Sequence, residues 1–392
     1  MRGAGTGHSF NALVSTNETM IDIRSLDKVL GIDVGAREIQ VEAGITLNAL
    51  DEAVARKGLA LATEPTISEV TAGGAIATAS HGTGLAHGAL SEEVTALQII
   101  DADGRKHTID DEDRLRAARV GLGCLGVIYA ITFRLVPAFR LAIHERVVRE
   151  QEAFDNLDQL LAENEHVDLF WFQTEQKVFL RTYHRTTEPR RVSVARDWLE
   201  EWLVRTLGAR VGLALASKSH PIARALNYIE PYFFPKSRTT VDRSDRIFHR
   251  FPGHQKVYSM EYIIPLARTR EALGAVTDSL GVTGFYPNVP VYLRFVGGAG
   301  DGDLSPMRGR QSCAIEVLSG VNFEGWEEYF RDLEPRFIAL GGRPHWGKMF
   351  FANPRPLYEA SAWTHVEALR AQIDPDGKFV NELSHRLFRP QG

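Results

Sequence analysis

Two glycine-rich segments restrict what this chain can fold into. The first lies at the very start of the chain and contains three alternating glycines followed by a histidine, in the order Gly3-Ala4-Gly5-Thr6-Gly7-His8-Ser9. Alternating glycines leave one side of the backbone without Cβ atoms, so successive N–H groups can turn towards a bound anion. A surface turn with an exposed histidine would also fit this segment alone.

The second segment repeats the combination of glycines and a histidine further along the chain, in the order Gly73-Gly74-Ala75-Ile76-Ala77-Thr78-Ala79-Ser80-His81-Gly82. Two loops of this kind in one small domain favour a pyrophosphate held between them over two unrelated surface turns.

The length and net charge of the chain limit the class of protein to which it can belong. A chain of 392 residues exceeds the usual size of one hydrophobic core, so we expect two domains. The net charge of −5, with dispersed Lys and Arg, argues against a nucleic-acid partner. No apolar run approaches the roughly 18 residues of a membrane span, and no signal-peptide pattern precedes the first motif. Cys124 and Cys313 have apolar neighbours and predict buried free thiols, so we expect a cytoplasmic protein.

Hydrophobic periodicity predicts an α+β chain in which the predicted helices become longer after about residue 138. In the first part we expect one helix, residues 46–57 with Thr46 as its N-cap, and short strands at residues 19–23, 39–43, 94–101, 105–109 and 126–135. In the second part we expect one antiparallel sheet covered by helices. Its strands are predicted at residues 168–172, 177–183, 256–265, 289–296 and 312–319, and its helices at residues 151–163, 195–215, 268–280, 323–340 and 362–373.

Four motifs, GAGTGHSF, VEAGITLNALDEAVARKGLAL, AGGAIATASHGTG and RPHWGKMFF, occur in this order. Together they resemble the sugar-lactone and alditol oxidases (L-gulonolactone, D-arabinono-1,4-lactone and alditol oxidases), a family of vanillyl-alcohol-oxidase-type FAD flavoproteins, over nearly the whole chain. The resemblance implies a PCMH-type FAD-binding domain over residues 1–137. It also implies a substrate domain over residues 138–392, whose large antiparallel sheet is flanked by helices and whose last part, about 343–392, returns to the flavin.

The resemblance further implies that FAD is the cofactor and that His8 is its point of covalent attachment, at the 8α-methyl group. The residues that the family pattern assigns to FAD binding are Gly3, Ala4, Gly5, Thr6, Gly7, His8, Ser9, Thr66, Thr71, Gly73, Gly74, Thr78, His81, Gly82, Gly126 and Ile128. In the family a small subdomain precedes the first loop, and a unit of this kind takes roughly 30 residues or more. Since only two residues precede Gly3, we expect either an internal annotated start or a truncation that weakens cofactor binding.

Two cations are the candidate catalytic groups. Lys348 lies between apolar residues, which disfavours a solvated surface lysine. The resemblance implies that it stabilises negative charge at the flavin N1–C2=O locus. Because side chains alternate along a strand, Tyr292 and Arg294 share one face. The family carries an arginine here that contacts the substrate hydroxyl, but its usual partner is Glu where this chain has Tyr292.

A lone carboxylate, Glu316, lies in an otherwise apolar predicted strand, where it is costly unless paired. Glu316 either forms a structural salt bridge with an arginine of the sheet or acts as a relocated active-site acid beside Arg294. His81 caps a carbonyl or contacts the flavin, and His345 braces Trp346. The histidines show no metal-ligand spacing, so we expect no metal, and no dinucleotide fingerprint indicates a nicotinamide cofactor.

The resemblance, with His8, Arg294 and Lys348 retained, implies an FAD-dependent oxidase of a polyol, sugar lactone or related secondary alcohol. The resemblance gives Pro65 the position of an oxygen gate, although a turn-forming proline is an equal alternative. Oxygen is therefore the expected acceptor and hydrogen peroxide the product. The alternatives are a dehydrogenase with another acceptor and a truncated, non-catalytic interaction module. We expect a monomer or a small oligomer.

Overall fold

Two large β-sheets organise the part of the chain that the computed structural model describes. That part comprises residues 1–193, 234–250, 257–298, 300, 302–321 and 323–388, with five isolated residues between 211 and 231. None of the described helices combines the length and apolar character that crossing a membrane requires.

The described strands are, in chain order, β1 Arg2–Ala4, β2 Met20–Asp22, β3 Val29–Asp33, β4 Glu38–Glu42, β5 Leu59–Ala60, β6 Val94–Ile100, β7 Lys106–Ile109, β8 Val127–Arg134, β9 Val136–Pro137, β10 Arg140–Arg149, β11 His166–Phe172, β12 Lys177–Thr186, β13 Arg238–Arg243, β14 Val257–Pro265, β15 Val291–Val296, β16 Ser312–Gly320 and β17 Arg343–Pro344. The described α-helices are α1 Leu47–Ala55, α2 Ala72–Ala77, α3 Glu112–Ala118, α4 Glu150–Asp155, α5 Leu157–Glu163, α6 Ser244–Phe248, α7 Thr269–Thr283, α8 Trp326–Ala339, α9 Ala360–Ile373 and α10 Glu382–Phe388. Short 3₁₀ turns occupy Ala12–Val14, Leu90–Glu93, Leu266–Arg268 and Arg355–Leu357.

The first sheet has five antiparallel strands in the order β3-β4-β8-β6-β7. Strands β3 and β4 form one hairpin and β6 and β7 a second, which turns through Gly104 at a positive φ of 80°. Helix α1 begins as predicted, because the Thr46 hydroxyl accepts the Ala49 N–H at 3.3 Å. Pro137 does not simply end the preceding strand: Val136–Pro137 forms β9, which pairs with β5.

The second sheet has eight strands in the order β13-β10-β12-β11-β15-β16-β14-β17, and every neighbouring pair is antiparallel. One face is apolar and packs against helices, as predicted. The predicted helix over 151–163 is divided into α4 and α5, and the one over 323–340 begins at Trp326. Nearly all of the helix predicted over 195–215 lies outside the described residues.

Strands β10 and β13 were not predicted, and charged residues explain why. Five residues lie directly opposite one another across five adjacent strands, with alternating charge, in the order Arg238, Glu145, Arg181, Asp168, Arg294. We call this row the charge ladder. Arg238 pairs with Glu145 at 2.8 Å, and Arg181 with Asp168 at 3.5 Å. Charges that resemble a solvated surface in the sequence are therefore buried and paired in the fold.

The buried guanidinium of Arg2 joins the start of the chain to two distant segments. Arg2 is 1% exposed. Its nitrogens donate to four carbonyls at 2.5–3.0 Å, those of Leu13, Leu122, Gly123 and Phe379. Both cysteines are buried free thiols, as predicted, and Cys124 directly follows Gly123.

We expect Arg2→Met to destabilise the protein by about 3 kcal/mol or more, because several buried carbonyls lose their donors together. Urea unfolding followed by circular dichroism measures the change. The matched control is Arg24→Met, which removes an exposed guanidinium paired with Asp22 and should leave the midpoint nearly unchanged. Equal effects of the two substitutions would contradict this role of Arg2.

Candidate active site

The two glycine loops lie side by side. A Cβ added to Gly5 would come within 2.1 Å of the Thr71 hydroxyl oxygen, so only glycine permits this approach. Thr71 is the N-cap of α2, and its hydroxyl accepts the Gly74 N–H at 3.4 Å. The first loop therefore rests directly on the start of the second segment.

The first loop presents bare backbone to open space. A Cβ added to Gly3 or Gly7 would meet no heavy atom within 4 Å, and Gly7 has a positive φ of 72°. The His8 Nδ1 atom lies 3.0 Å from the Thr6 hydroxyl oxygen. Backbone amides beside unfilled space fit an anionic group such as a pyrophosphate.

Other predicted cofactor residues are held by close backbone contacts. A Cβ at Gly82 would lie 2.3 Å from the Glu64 carbonyl oxygen, and one at Gly126 would lie 2.6 Å from that of Ile100. Gly73 packs against Ala43, and the Thr78 hydroxyl donates to the Gly74 carbonyl. The remaining members are Ala4 in β1, Ile128 in β8, and the half-buried Thr66 and Ser9.

The first loop also holds the backbone around Lys348. Phe10 N–H donates to the Gly347 carbonyl at 2.8 Å, and the Asn11 side-chain amide donates to the carbonyls of Trp346 and Lys348, both at 2.7 Å. The Lys348 ammonium lies 4.8 Å from the centroid of the Phe10 ring. The distal motif and the initial glycine loop thus form one local unit.

The second loop holds Arg294. The carbonyl of His81 accepts a hydrogen bond from Arg294 Nη1 at 3.0 Å. Gly84 N–H donates to the Phe295 carbonyl at 2.5 Å, which attaches the loop to strand β15. Each glycine loop therefore positions one of the two predicted catalytic cations.

Glu316 joins the two cations. Its Oε1 atom lies 2.5 Å from the Lys348 ammonium, and its Oε2 atom lies 3.8 Å from Arg294 Nη2. The Ser259 hydroxyl donates to Oε1 at 2.6 Å. Both readings of Glu316 describe part of this arrangement, because the carboxylate is ion-paired and also lies beside Arg294.

Glu261 is the site residue that sequence reasoning missed. It is fully buried, lies opposite Glu316 on strand β14, and is in direct contact with Arg294 Nη2. Burial alone would raise the pKa of Glu261, but Arg294 and His81 hold this pKa well below its usual range. The signal was present, since Glu261, like Glu316, is a lone acid in an apolar strand.

Tyr292 supports Arg294 from the same face of β15. Its hydroxyl donates to Asp168 Oδ2 at 2.9 Å, and its ring stacks on Phe170 at a centroid distance of 4.3 Å. The Arg294 guanidinium carbon lies 5.0 Å from the centroid of the Tyr292 ring. Burial, together with Asp168, raises the pKa of Tyr292 well above its usual value, so the phenol stays neutral.

Two buried histidines complete the site. His81 Nδ1 lies 3.0 Å from the Gly82 carbonyl oxygen, the expected capping contact. His345 Nδ1 accepts the Gly347 N–H at 3.0 Å, and burial lowers the pKa of His345 to about 3, so it is neutral. Although the sequence shows no ligand spacing, the fold brings ligand atoms of His81, Glu261 and His345 within 4.8 Å of one another. Arg294 already supplies the positive charge at Glu261.

Comparison with known proteins identifies the family of this chain. Residues 131–387 match the D-arabinono-1,4-lactone oxidase family, and residues 1–110 match the FAD binding domain family. The chain belongs to the D-arabinono-1,4-lactone oxidase family. The resemblance expected from the four motifs is confirmed.

Relatives in this family align along almost the whole chain. The chain is 32% identical to L-gulono-1,4-lactone dehydrogenase of Mycobacterium tuberculosis, over 100% of this chain and 90% of that protein. It is 30% identical to L-gulonolactone oxidase of Mus musculus, over 98% and 88%. A solved structure, a solvent-stable cholesterol oxidase, superposes with a TM-score of 0.83 at 17% identity, covering 99% and 90%. This last likeness confirms the predicted two-part α+β fold with a large antiparallel sheet, and the family match over residues 1–110 identifies the FAD-binding domain.

We expect Glu261→Gln to cost about 3–5 kcal/mol of unfolding free energy at neutral pH, because it leaves the buried Arg294 without its closest counter-charge. Urea unfolding measures the loss. The control is Glu327→Gln, which removes an exposed carboxylate paired with Arg331 and should change the free energy little.

The pH dependence gives a second check. The pKa of Glu261 is lower in the folded protein than its ordinary value of 4.5 in the unfolded chain. Such a carboxyl stabilises the folded state at pH values above 4.5, and this stabilisation is lost as the pH falls. The difference between wild type and Glu261→Gln should therefore be constant at neutral pH and shrink below about pH 4.5. A difference that does not change with pH would show that folding leaves the pKa of Glu261 at its ordinary value.

Proposed function

We propose that this chain oxidises a secondary alcohol of a sugar lactone or polyol, with FAD as its cofactor. The observation that carries the proposal is the pairing of loops and cations. One glycine loop holds Lys348, the other holds Arg294, and Glu316 bridges both. The names of the relatives, lactone and alditol oxidases and a lactone dehydrogenase, support the same chemistry.

FAD fits the residues of this chain. The open backbone at Gly3 and Gly7 leaves room for a pyrophosphate, and the adjacent Gly5–Thr71 contact brings the second loop to the same place. We propose residues 1–137 as the FAD domain and 138–392 as the substrate domain. In support, the five-stranded sheet lies within the first range, the eight-stranded sheet lies within the second, and Asn11 binds the returning segment at Lys348.

When bound, FAD accepts the hydride that leaves the substrate carbon. We assign Lys348 the stabilisation of negative charge at the flavin N1–C2=O locus, because a fixed cation stabilises charge that develops beside it. Arg294 binds the substrate oxygen, and Glu316 Oε2 accepts the hydroxyl proton or a hydrogen bond from it. Glu261 and Tyr292 act as positioning residues through Arg294, since both contact its guanidinium.

Oxygen is the proposed electron acceptor. Pro65, the proposed gate, is buried directly after Glu64. A relative named a dehydrogenase and another named an oxidase make a different acceptor the second candidate. Photoreduced enzyme that regains its yellow colour in air supports an oxidase, whereas recovery only with a dye or quinone supports a dehydrogenase.

Compartment and assembly stay predictions. The two free buried thiols, Cys124 and Cys313, support a reducing compartment such as the cytoplasm. We propose a monomer or a small oligomer, which sedimentation of the purified protein would measure.

We expect aldonolactones or alditols to bleach the flavin absorbance of the purified enzyme under anaerobic conditions, and aromatic alcohols to bleach it less. Two cations and a carboxylate suit a neutral, hydroxyl-rich substrate, because each can bind a hydroxyl or a lactone carbonyl. If the flavin-loaded enzyme bleaches with no lactone and no alditol, the substrate class is wrong and the non-catalytic module is favoured.

Variants in the same assay separate catalysis from folding. Arg294→Ala and Lys348→Ala should each reduce turnover by roughly 100-fold or more if they act in the transition state. The control is Arg331→Ala, an exposed arginine paired with Glu327, whose turnover should match wild type.

We predict that His8 carries FAD through an 8α-histidyl bond, because the imidazole follows the loop that faces open space. Flavin fluorescence should then remain with the denatured polypeptide on a gel and be lost in His8→Ala. His144→Ala, which removes a half-buried histidine beside Thr239, is the control and should keep the fluorescence. Release of FAD from the denatured wild-type protein would show that the bond is absent.

A further inference from the structure

A second group of buried acids lies away from Arg294 and Lys348. Asp51 is in helix α1, Glu64 lies between β5 and α2, and His249 directly follows α6. Asp51 and Glu64 are 3% and 2% exposed, and the His249 side chain is 12% exposed. We call these three residues the acid–histidine cluster. It joins segments that are far apart in the sequence.

The cluster is short of positive charge. His249 Nε2 lies 3.1 Å from Asp51 Oδ2 and 2.8 Å from Glu64 Oε2. Among the residues that the structure describes, His249 is the only basic side chain in an ion pair with either acid. The nearby Arg243 is bound instead to Glu52 and Asp245. The charge ladder pairs its acids with arginines, whereas this cluster leaves two buried carboxylates to one imidazole, which is costly.

Several polar atoms at the cluster have no hydrogen-bond partner. In the described part of the chain these are Asp51 Oδ1, Glu64 Oε1 and His249 Nδ1. Buried polar atoms are nearly always bonded, so unpaired carboxylate oxygens in residues this buried indicate a missing ligand. A positive ligand would supply the counter-charge that two buried carboxylates beside one imidazole lack.

We propose that Asp51, Glu64 and His249 bind a single divalent first-row transition-metal ion. Bonds of roughly 2.0–2.2 Å to nitrogen and oxygen place neighbouring donor atoms roughly 3 Å apart. The Nε2–oxygen distances of 2.8 and 3.1 Å match this spacing. One imidazole with two carboxylates favours zinc or manganese over magnesium, which binds oxygen ligands. The ion cross-links α1, the Glu64 segment and the residue after α6, so its role is structural.

Zinc binding to the full-length, chelator-treated protein tests the site. We expect a single tightly held zinc ion per chain by elemental analysis, manganese as a weaker substitute and no competition by magnesium. Zinc at a hundredfold excess over its Kd should raise the Tm by about 3 °C or more. Asp51→Asn and His249→Gln should abolish both effects. Asp51→Asn also removes one of the two buried negative charges, so this variant should fold without metal.

Glu52→Gln is the matched control, because Glu52 neighbours Asp51 on the same helix but pairs with Arg243 at 3.0 Å. It should bind zinc as wild type does. X-ray absorption at the zinc edge of the wild-type protein needs no substitution and should show one imidazole ligand. Two imidazoles would assign the ion to His81 and His345 and overturn the proposal. Failure to retain zinc would also overturn it, leaving a proton-sharing acid pair.

Discussion

Negative charge buried in one sheet is the constraint on which the rest of the site depends. Glu261 and Glu316 lie opposite each other on neighbouring strands, and both are buried, Glu261 completely and Glu316 with 7% of its surface exposed. Buried carboxylates are tolerated only when cations lie beside them. Arg294 and Lys348 are therefore fixed in position before any substrate arrives, which is the preorganisation that electrostatic catalysis requires.

The residues that carry these cations also contact the N-terminal part of the chain. Arg294 belongs to the eight-stranded sheet but donates to a carbonyl of the second glycine loop, and the backbone of Lys348 is bound by Asn11. A displacement of either loop would thus move a cation as well as the cofactor site. Because the contacts use backbone carbonyls, they constrain the position of the loops more than the identity of their side chains.

The sequence predicted features that depend on local pattern. The alternation of side chains along a strand placed Tyr292 and Arg294 on one face, and the two are in contact. Thr46 is the N-cap of its helix, and the two glycine loops lie side by side, as their sequences predicted. Features that depend on distant pairing were missed. Strands β10 and β13 carry charges that only the fold neutralises, and Asp51 and His249 are 198 residues apart. A lone acid in an apolar strand was the one usable signal, and it identified Glu316 but was not applied to Glu261.

The charge ladder limits which substitutions this sheet can accept during evolution. Neutralising one buried member removes a counter-charge from its neighbours, and breaking a buried pair costs up to about 3–5 kcal/mol, while a whole protein is stable by only about 5–15 kcal/mol. Replacement of Asp168 alone would deprive Arg181 of its carboxylate at 3.5 Å and both Tyr183 and Tyr292 of an acceptor. Substitutions along the ladder should therefore accumulate in compensating pairs across adjacent strands. Covariation between these positions in related sequences would be the evolutionary record of this electrostatic balance.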